Sequence, residues 1–376
     1  MTLHLKGMAW DHPRGYEPMV ATARVYEDAH PGTRISWEKR SLQAFEHFPI
    51  EQLADEYDLI VIDHPHIGVV AREGYLVALD ELGPDGALET LAAQSIGRSH
   101  ESYQYGGHQW ALAIDAAAQV SAYRPDLSSE IPRRWSEVVD LARTGRVLWP
   151  LTPVHALMAF FTLAANRGTP CAEDANQLIS STDGRAVLEA LGAVGKYLPP
   201  ECLSMDPIEA LDLMSTSDSY VYCPLVYGYS NYARDGFKDH LIRFANIPPL
   251  GGGGPCGSTL GGTGIAVSAK SGMIEEAINY AFWIASADCQ KGFYFEAGGQ
   301  PANIEAWNDD TVNKASQNFF RDTQETLQQA WLRPRYDGYL SFQEEGGNIV
   351  NAFLANRTDV EETLKRLEGA YQDSVQ

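Results

Sequence analysis

Aromatic and polar side chains cluster early in the chain, directly after a segment with the pattern of a strand. The first cluster is Trp10, Asp11 and His12. An indole face can stack on the apolar face of a sugar ring, and a carboxylate and an imidazole can hydrogen-bond to hydroxyl groups. The alternative is structural, with Trp10 in the core and Asp11 capping the next turn. The cluster therefore predicts either a site for a polyhydroxylated ligand or local packing.

A second cluster, Asp63, His64 and His66, follows a wholly apolar segment. Two histidines beside a carboxylate resemble half of a metal site, but a stable site needs further ligands, and no HExxH or CxxC motif supplies them. We therefore predict no metal and no cofactor. The remaining alternatives are hydrogen bonding to a ligand and a structural loop.

The elements that position these clusters alternate between strand and helix. They are strand 3–8, helix 18–29, strand 33–39, helix 50–57 and strand 59–62. This alternation predicts a doubly wound α/β lobe. In such sheets ligands bind beyond the carboxyl ends of the strands, so both clusters, together with Arg40 after the second strand, are candidate ligand-binding residues.

The same residues support a second hypothesis, a catalytic one. Imidazoles titrate near neutral pH and can act as acid or base, and His12, His64 and His66 would lie near carboxylates at strand ends. With Asp115 they could serve a cytosolic, cofactor-independent lyase or dehydratase. There is no GxSxG motif for a nucleophilic serine.

Composition excludes other classes. The net charge of −22, from 50 acidic and 28 basic residues, argues against nucleic acid, which clustered Lys and Arg bind. No apolar run reaches the ~18 residues that predict a membrane span.

The five cysteines form no CxxC pair and are odd in number, which favours free thiols and slightly favours a reducing compartment. A chain of 376 residues exceeds the usual size of one core and predicts two lobes.

Several segments, in their order along the chain, resemble one protein family. They are LKGMAWDHPRGYEP, YDLIVIDHPHIG, YQYGGHQWALAIDAAAQVSAYRPDL, RRWSEVVDLA, GGTGIAVSAKS and AFWIASADCQKGFYFEAGGQPAN. Together they resemble the extracellular solute-binding proteins of sugar-type ABC transporters, the group that contains maltose-binding protein. No single motif is specific, but the likeness covers nearly the whole chain.

The resemblance implies a periplasmic-binding-protein type 2 fold. In it two lobes, each a doubly wound sheet flanked by helices, hold a ligand cleft between them. The N-terminal lobe would comprise 1–114 and 262–320, and the C-terminal lobe 115–261 and 321–376. Asp115, at the first crossover, would be a cleft residue.

The resemblance also implies ligand-binding residues in the segment VYGYSNYAR. Tyr227, Tyr229 and Asn231 offer aromatic faces and an amide for a neutral polyhydroxylated ligand, although an aromatic stripe is equally typical of a core. Backbone amides at Gly262 and Thr263 could donate to the ligand or serve only to turn the chain.

Two further features bear on the charge of the ligand. The glycine tract of residues 251–264 lacks the lysine of a phosphate-binding P-loop, so we predict no nucleotide. Arg335, with Arg333, could recognise a carboxylate; the alternative is that both face solvent.

The leading hypothesis is a protein that closes two lobes around a small polar solute, a sugar, polyol or small carboxylate, and delivers it to an ABC permease. It involves no membrane insertion and no nucleic acid. An export signal is absent from the opening residues, which predicts a cytoplasmic protein if Met1 is the native start, and a periplasmic one if a signal has been removed.

Overall fold

The computed structural model describes residues 2–41 and 50–375. In these parts of the chain the strands, which we number β1 to β9, are Leu3–Trp10, Thr33–Arg40, Leu59–Ile62, Gln104–Tyr105, His108–Gln109, Leu112–Tyr123, Tyr222–Tyr227, Arg243–Ala245 and Leu260–Val267.

Helices outnumber strands in the described parts of the chain. The α-helices are Pro13–Ala29, Ile50–Glu56, Ile67–Glu73, Leu79–Leu82, Ala87–Ala93, Trp135–Ala142, Pro153–Asn166, Ser181–Gly195, Pro207–Thr216, Ile274–Ala285, Ala287–Cys289, Ile304–Asn308, Asp310–Ala315, Phe319–Gln328, Tyr339–Leu354 and Val360–Ser374. Short 3-10 turns occur at His64–His66, Glu101–Tyr103, Pro200–Ser204 and Ser230–Ala233, and a π-turn at Gln290–Tyr294. None of the described helices combines the length and the apolar character that crossing a membrane requires.

The chain forms two compact units. Unit 1 comprises Met1–Ala117 and Gly261–Lys314, and unit 2 comprises Ala118–Leu260 and Ala315–Gln376. The boundary between Ala117 and Ala118 lies within strand β6, and the boundary between Leu260 and Gly261 lies within strand β9.

Unit 1 is built on a sheet with the strand order β2-β1-β3-β9-β6. Strand β1 pairs in parallel with β2 and β3, so their carboxyl ends share one edge, while β9 is antiparallel to β3. All four residues of β3 are buried, as expected of a central strand in a parallel sheet. The three strands predicted near the start of the chain are present, and the mixed α/β class is confirmed.

The first helix begins five residues earlier than the helix predicted over 18–29. Pro13 occupies its first turn, where a missing amide hydrogen has no cost and the fixed φ suits a helix. The Nδ1 atom of His12 accepts a hydrogen bond from the amide of Arg14 at 3.0 Å and caps the helix. The helix lies close to the end of β1, where the indole of Trp10 occupies the space beside Gly15.

Unit 2 contains a helix that is buried on every side. In Pro153–Asn166 every residue from His155 onward is buried. It packs against Tyr339–Leu354, where a Cβ atom at Gly347 would lie 2.6 Å from the carbonyl oxygen of Pro153. Glycine therefore permits the close approach of the two helices.

The side chain of Asn166 holds the glycine-rich loop of unit 2 in place. Its Oδ1 accepts from the amides of Leu250 and Gly251 at 2.7 and 3.1 Å. Its Nδ2 donates to the carbonyl oxygens of Gly254 and Cys256 at 3.0 and 2.8 Å. One buried amide thus satisfies four backbone groups of a loop that forms no regular structure.

We expect Asn166→Ala to lower the free energy of unfolding by about 2 kcal/mol, because it leaves four backbone groups of the loop without this partner. Urea denaturation followed by circular dichroism measures the loss. Asn176→Ala is the control, since Asn176 is exposed and bonds only within its own turn. Equal losses in the two variants would contradict this role of Asn166.

Candidate functional site

The carboxyl ends of β1 and β2 bring two predicted residues side by side. Trp10 and Arg40 are direct partners in the parallel register, and the amide of Asp11 donates to the carbonyl oxygen of Arg40 at 2.7 Å. The Arg40 guanidinium forms an ion pair with Glu56 at 3.0 Å. This edge of the unit 1 sheet is the candidate site, and we call it the unit 1 edge.

Residues 10 to 12 take three different positions there. Trp10 is buried, and its indole fills the space that a side chain at Gly15 would need, at 2.3 Å from an added Cβ atom. Asp11 is exposed and pairs with the Lys39 ammonium at 2.7 Å. His12 is buried and caps the first helix, so the cap anticipated at Asp11 lies one residue later.

The second cluster forms a single 3-10 turn after β3. The Oδ1 atom of Asp63 accepts from the amide of His64 at 2.8 Å and lies 3.1 Å from its Nδ1. The His64 ring is fully buried and meets the ring of Tyr103 edge-on, with centroids 6.3 Å apart. His66 is buried on the same turn. Within the described part of the chain, no group of three or more His, Cys, Asp or Glu residues could hold a metal ion.

Tyr103 was not among the predicted residues, yet it contacts two of the chain segments that meet at the unit 1 edge. Its hydroxyl lies within donating distance of the carbonyl oxygens of Ile62 and Gly262, at 3.2 and 3.4 Å. Its ring occupies the space beside Gly264, where a Cβ atom would approach it to 2.8 Å. No local pattern around Tyr103 distinguishes it from a core tyrosine.

A buried ion pair joins the first helix to strand β6. Arg14 donates from Nε to Oδ2 of Asp115 at 2.7 Å and from Nη2 to Oδ1 at 2.5 Å. The two side chains are 4% and 0% exposed. Burial raises the pKa of Asp115, and the guanidinium opposes that shift. Because Arg14 keeps its charge and engages both oxygens, the carboxylate is held in one orientation.

The predicted glycine–threonine pair lies beside Asp115. Gly262 has φ of +99°, and a Cβ atom there would lie 2.3 Å from the carbonyl oxygen of Asp115, so only glycine is accommodated. Thr263 is 7% exposed, and its hydroxyl oxygen has no hydrogen-bond partner among the residues that the structure describes. Such an atom indicates a place for a ligand or a bound water.

In unit 2 the predicted aromatic segment follows β7. Tyr227 ends the strand, and Tyr229 is buried with its ring edge-on to that of Tyr232 at 6.5 Å. Asn231 is buried in the 3-10 turn that follows. Tyr232 donates to Asp212 at 2.6 Å and therefore has a structural role.

The two arginines of the WLRPRYDGY segment differ in exposure. Arg333 is buried and donates from Nη1 to Oε1 of Gln343 at 3.0 Å, so the expectation that it faces solvent is wrong. Its neighbour Arg335 is half-buried. No pattern in the sequence around residue 333 predicts that the Arg333 side chain is buried.

His155 was also missed. It lies in the first turn of the helix Pro153–Asn166, and its ring meets that of Tyr227 with centroids 5.9 Å apart. Burial and the charge of Arg333 lower the pKa of His155 to about 3. The imidazole is therefore uncharged at neutral pH.

Comparison with known proteins identifies the fold. No protein-family model matches the chain. Among solved structures, it is similar to maltose-bound MalE3 of T. maritima, with 17% identity, a TM-score of 0.84, and 99% of this chain and 100% of that chain covered. An ABC transporter solute-binding protein of Thermotoga lettingae TMO bound with alpha-D-tagatose has 15% identity, a TM-score of 0.85 and full coverage of both chains.

A third similar structure is the ABC transporter solute-binding protein of Agrobacterium radiobacter K84 in complex with ribitol. It has 18% identity and a TM-score of 0.81, with 99% of this chain and 98% of that chain covered. The chain therefore has the fold of the ABC transporter solute-binding proteins, and the fold that the sequence resemblance implied is confirmed.

We expect Asp115→Asn to lower the free energy of unfolding by about 3–5 kcal/mol, because it leaves the buried charge of Arg14 without its counter-ion. Urea denaturation measures the loss. The control is Asp11→Asn, which removes an exposed ion pair and should have a far smaller effect. A similar stability of the two variants would show that the buried pair is not a constraint on the fold.

The lowered pKa of His155 predicts a pH dependence of stability. Between the ordinary pKa of 6.5 and the folded value of about 3, the unfolded chain binds a proton at this residue that the folded chain does not. Stability is therefore lost as the pH falls below 6.5, by about 1.4 kcal/mol per pH unit from this group. The difference in unfolding free energy between wild type and His155→Leu, measured from pH 7 to 4, should change with that slope. A constant difference would refute the shift.

Proposed function

We propose that this chain is the solute-binding protein of an ABC transporter and that its solute is a small uncharged sugar or polyol. Three proteins with this fold bind maltose, alpha-D-tagatose and ribitol, all of them neutral and polyhydroxylated. Hydrogen bonding and aromatic contact, rather than charge, recognise such ligands.

The observation that carries the proposal is the hydroxyl of Thr263. It is buried at the unit 1 edge and has no partner within the described residues. A buried hydroxyl in this state raises the free energy of the folded protein, and a hydroxyl of the solute would satisfy it. The rigid pairing of Arg14 with Asp115 and the close contact at Gly262 keep this position fixed.

The charges around this edge favour a neutral solute over a small carboxylate. Arg14 is paired with Asp115, Arg40 with Glu56, and Lys39 with Asp11. Each cation thus has a carboxylate within ion-pair distance. A ligand with a net charge would have to compete with these pairs, whereas a neutral one would not.

The proposal includes an ABC permease as partner and a location outside the cytoplasmic membrane, where such a transporter collects its solute. The five cysteines are free, and four of them are buried. Burial protects these thiols from oxidation, so they are compatible with an oxidising compartment despite the slight preference that the sequence suggested.

The lyase or dehydratase hypothesis relied on His12, His64, His66 and Asp115. His12 uses its Nδ1 to cap a helix, and Asp115 uses both oxygens to hold Arg14. These contacts give the two residues structural tasks. We therefore propose binding without chemical conversion.

Thermal-shift measurements against maltose, ribitol, D-tagatose, D-mannitol and D-gluconate test the proposal. We expect at least one of the neutral solutes to raise the unfolding temperature in a saturable way, and gluconate to have no effect. Chromatography of the mixture should recover the stabilising solute unchanged. Stabilisation by gluconate alone, or consumption of the solute, would overturn the proposal.

Thr263→Val tests the carrying observation. It removes the hydroxyl at nearly constant volume, so we expect roughly tenfold weaker binding of the stabilising solute and unchanged or higher stability without it. Thr263→Ser retains the hydroxyl and should bind within about threefold of wild type. Calorimetric titration gives the dissociation constants. If Thr263→Val bound the solute with wild-type affinity, the Thr263 hydroxyl would no longer support the proposal.

A further inference from the structure

The glycines on either side of Thr263 each lie against another part of unit 1. A Cβ atom at Gly264 would lie 2.8 to 2.9 Å from three carbon atoms of the Tyr103 ring. A Cβ atom at Gly262 would lie 2.3 Å from the carbonyl oxygen of Asp115. Neither contact leaves room for a side chain, so the Gly-Thr-Gly sequence follows from what surrounds it.

Tyr103 contacts the chain on both sides of Thr263. Its hydroxyl lies 3.2 Å from the carbonyl oxygen of Ile62 and 3.4 Å from that of Gly262, distances that suit one hydrogen shared between two acceptors. The end of the ring that carries the hydroxyl covers Gly264. The residue is 2% exposed, so bulk water does not compete for these contacts. One tyrosine thus contacts the residues before and after Thr263.

The ladder between β3 and β9 ends just short of Thr263. Ile62 and Gly264 form its last antiparallel pair. Thr263 lies one residue beyond this pair, so the register of these two strands does not by itself fix its backbone. The Tyr103 hydroxyl contacts the last residue of β3 and the carbonyl oxygen of the peptide unit that joins Gly262 to Thr263. Tyr103 therefore extends the constraint of the ladder to Thr263.

The direction of the Thr263 hydroxyl depends on this backbone. Threonine is β-branched and its χ1 angle is restricted, so the orientation of the adjoining peptide units largely sets where Oγ1 points. A binding group is effective only when it is held within about 0.5 Å of its productive position. Rotation of the peptide unit between Gly262 and Thr263 would move the buried hydroxyl away from that position.

We propose that Tyr103 is a positioning residue of the solute site, and that it acts on solute binding through Thr263. This inference rests on the proposed function, in which the Thr263 hydroxyl bonds to a hydroxyl of the solute. All of the residues that carry it belong to unit 1. It assigns a role in binding to a tyrosine that the sequence does not distinguish from a core residue.

Tyr103→Phe removes the hydroxyl and keeps the ring. Calorimetric titration with the tightest-binding of maltose, ribitol, D-tagatose and D-mannitol should show binding weakened about fivefold, the effect of one hydrogen bond. Tyr280→Phe is the matched control, because Tyr280 is also buried in unit 1 and its hydroxyl lies 2.9 Å from that of Thr22. Both variants should lower the unfolding temperature by a similar few degrees, but Tyr280→Phe should keep wild-type affinity.

A double variant distinguishes action through Thr263 from a separate effect on binding. Thr263→Val alone is expected to bind about tenfold more weakly than wild type. If Tyr103 acts through Thr263, adding Tyr103→Phe to Thr263→Val should change the affinity by no more than about twofold.

Our inference is overturned if the two losses multiply to about fiftyfold, if Tyr103→Phe binds as wild type does, or if Tyr280→Phe loses as much affinity. These outcomes leave the proposed function intact. If wild type binds none of the four solutes, the proposed function fails, and this inference fails with it.

Discussion

The buried ion pair between Arg14 and Asp115 is the interaction on which the candidate site depends. It joins the first turn of the first helix to strand β6 and leaves neither charge exposed. Since an unpaired charge at this depth would be far more costly than an unpaired surface charge, the pair fixes both elements. The carbonyl oxygen of Asp115 in turn meets the backbone at Gly262, and Thr263 follows directly. The position of the unpartnered hydroxyl thus depends on a pair of residues 101 positions apart in sequence.

The strands that frame this site could be predicted from sequence, and the reason is local. Strand β3 is wholly apolar and central, and β2 alternates buried and exposed residues up to Trp37, so short-range patterns describe both. The start of the first helix was misplaced because its cap is a histidine rather than Ser, Thr, Asp or Asn. Edge positions such as Trp10 and Arg40 follow once the parallel order is known.

The partners of these residues could not be predicted in the same way. Nothing near Arg14 in the sequence indicates that it pairs with Asp115, and Tyr103 and His155 have no neighbours that distinguish them from core residues. Each acquires its role through a contact with a distant part of the chain: Tyr103 with Ile62 and Gly262, and His155 with Tyr227. The exposure of Arg333 was misjudged for the same reason. Side-chain roles of this kind depend on tertiary structure, whereas the strand pattern does not.

The central claim is that a neutral solute binds where Thr263 presents its buried hydroxyl. A crystal structure of the protein with whichever of maltose, ribitol, D-tagatose or D-mannitol stabilises it most would test this claim directly. We predict a solute hydroxyl about 3 Å from the Thr263 oxygen, with the bidentate pair of Arg14 and Asp115 intact. A solute bound away from Thr263, or an Asp115 carboxylate released from Arg14 to bind the solute, would contradict the account.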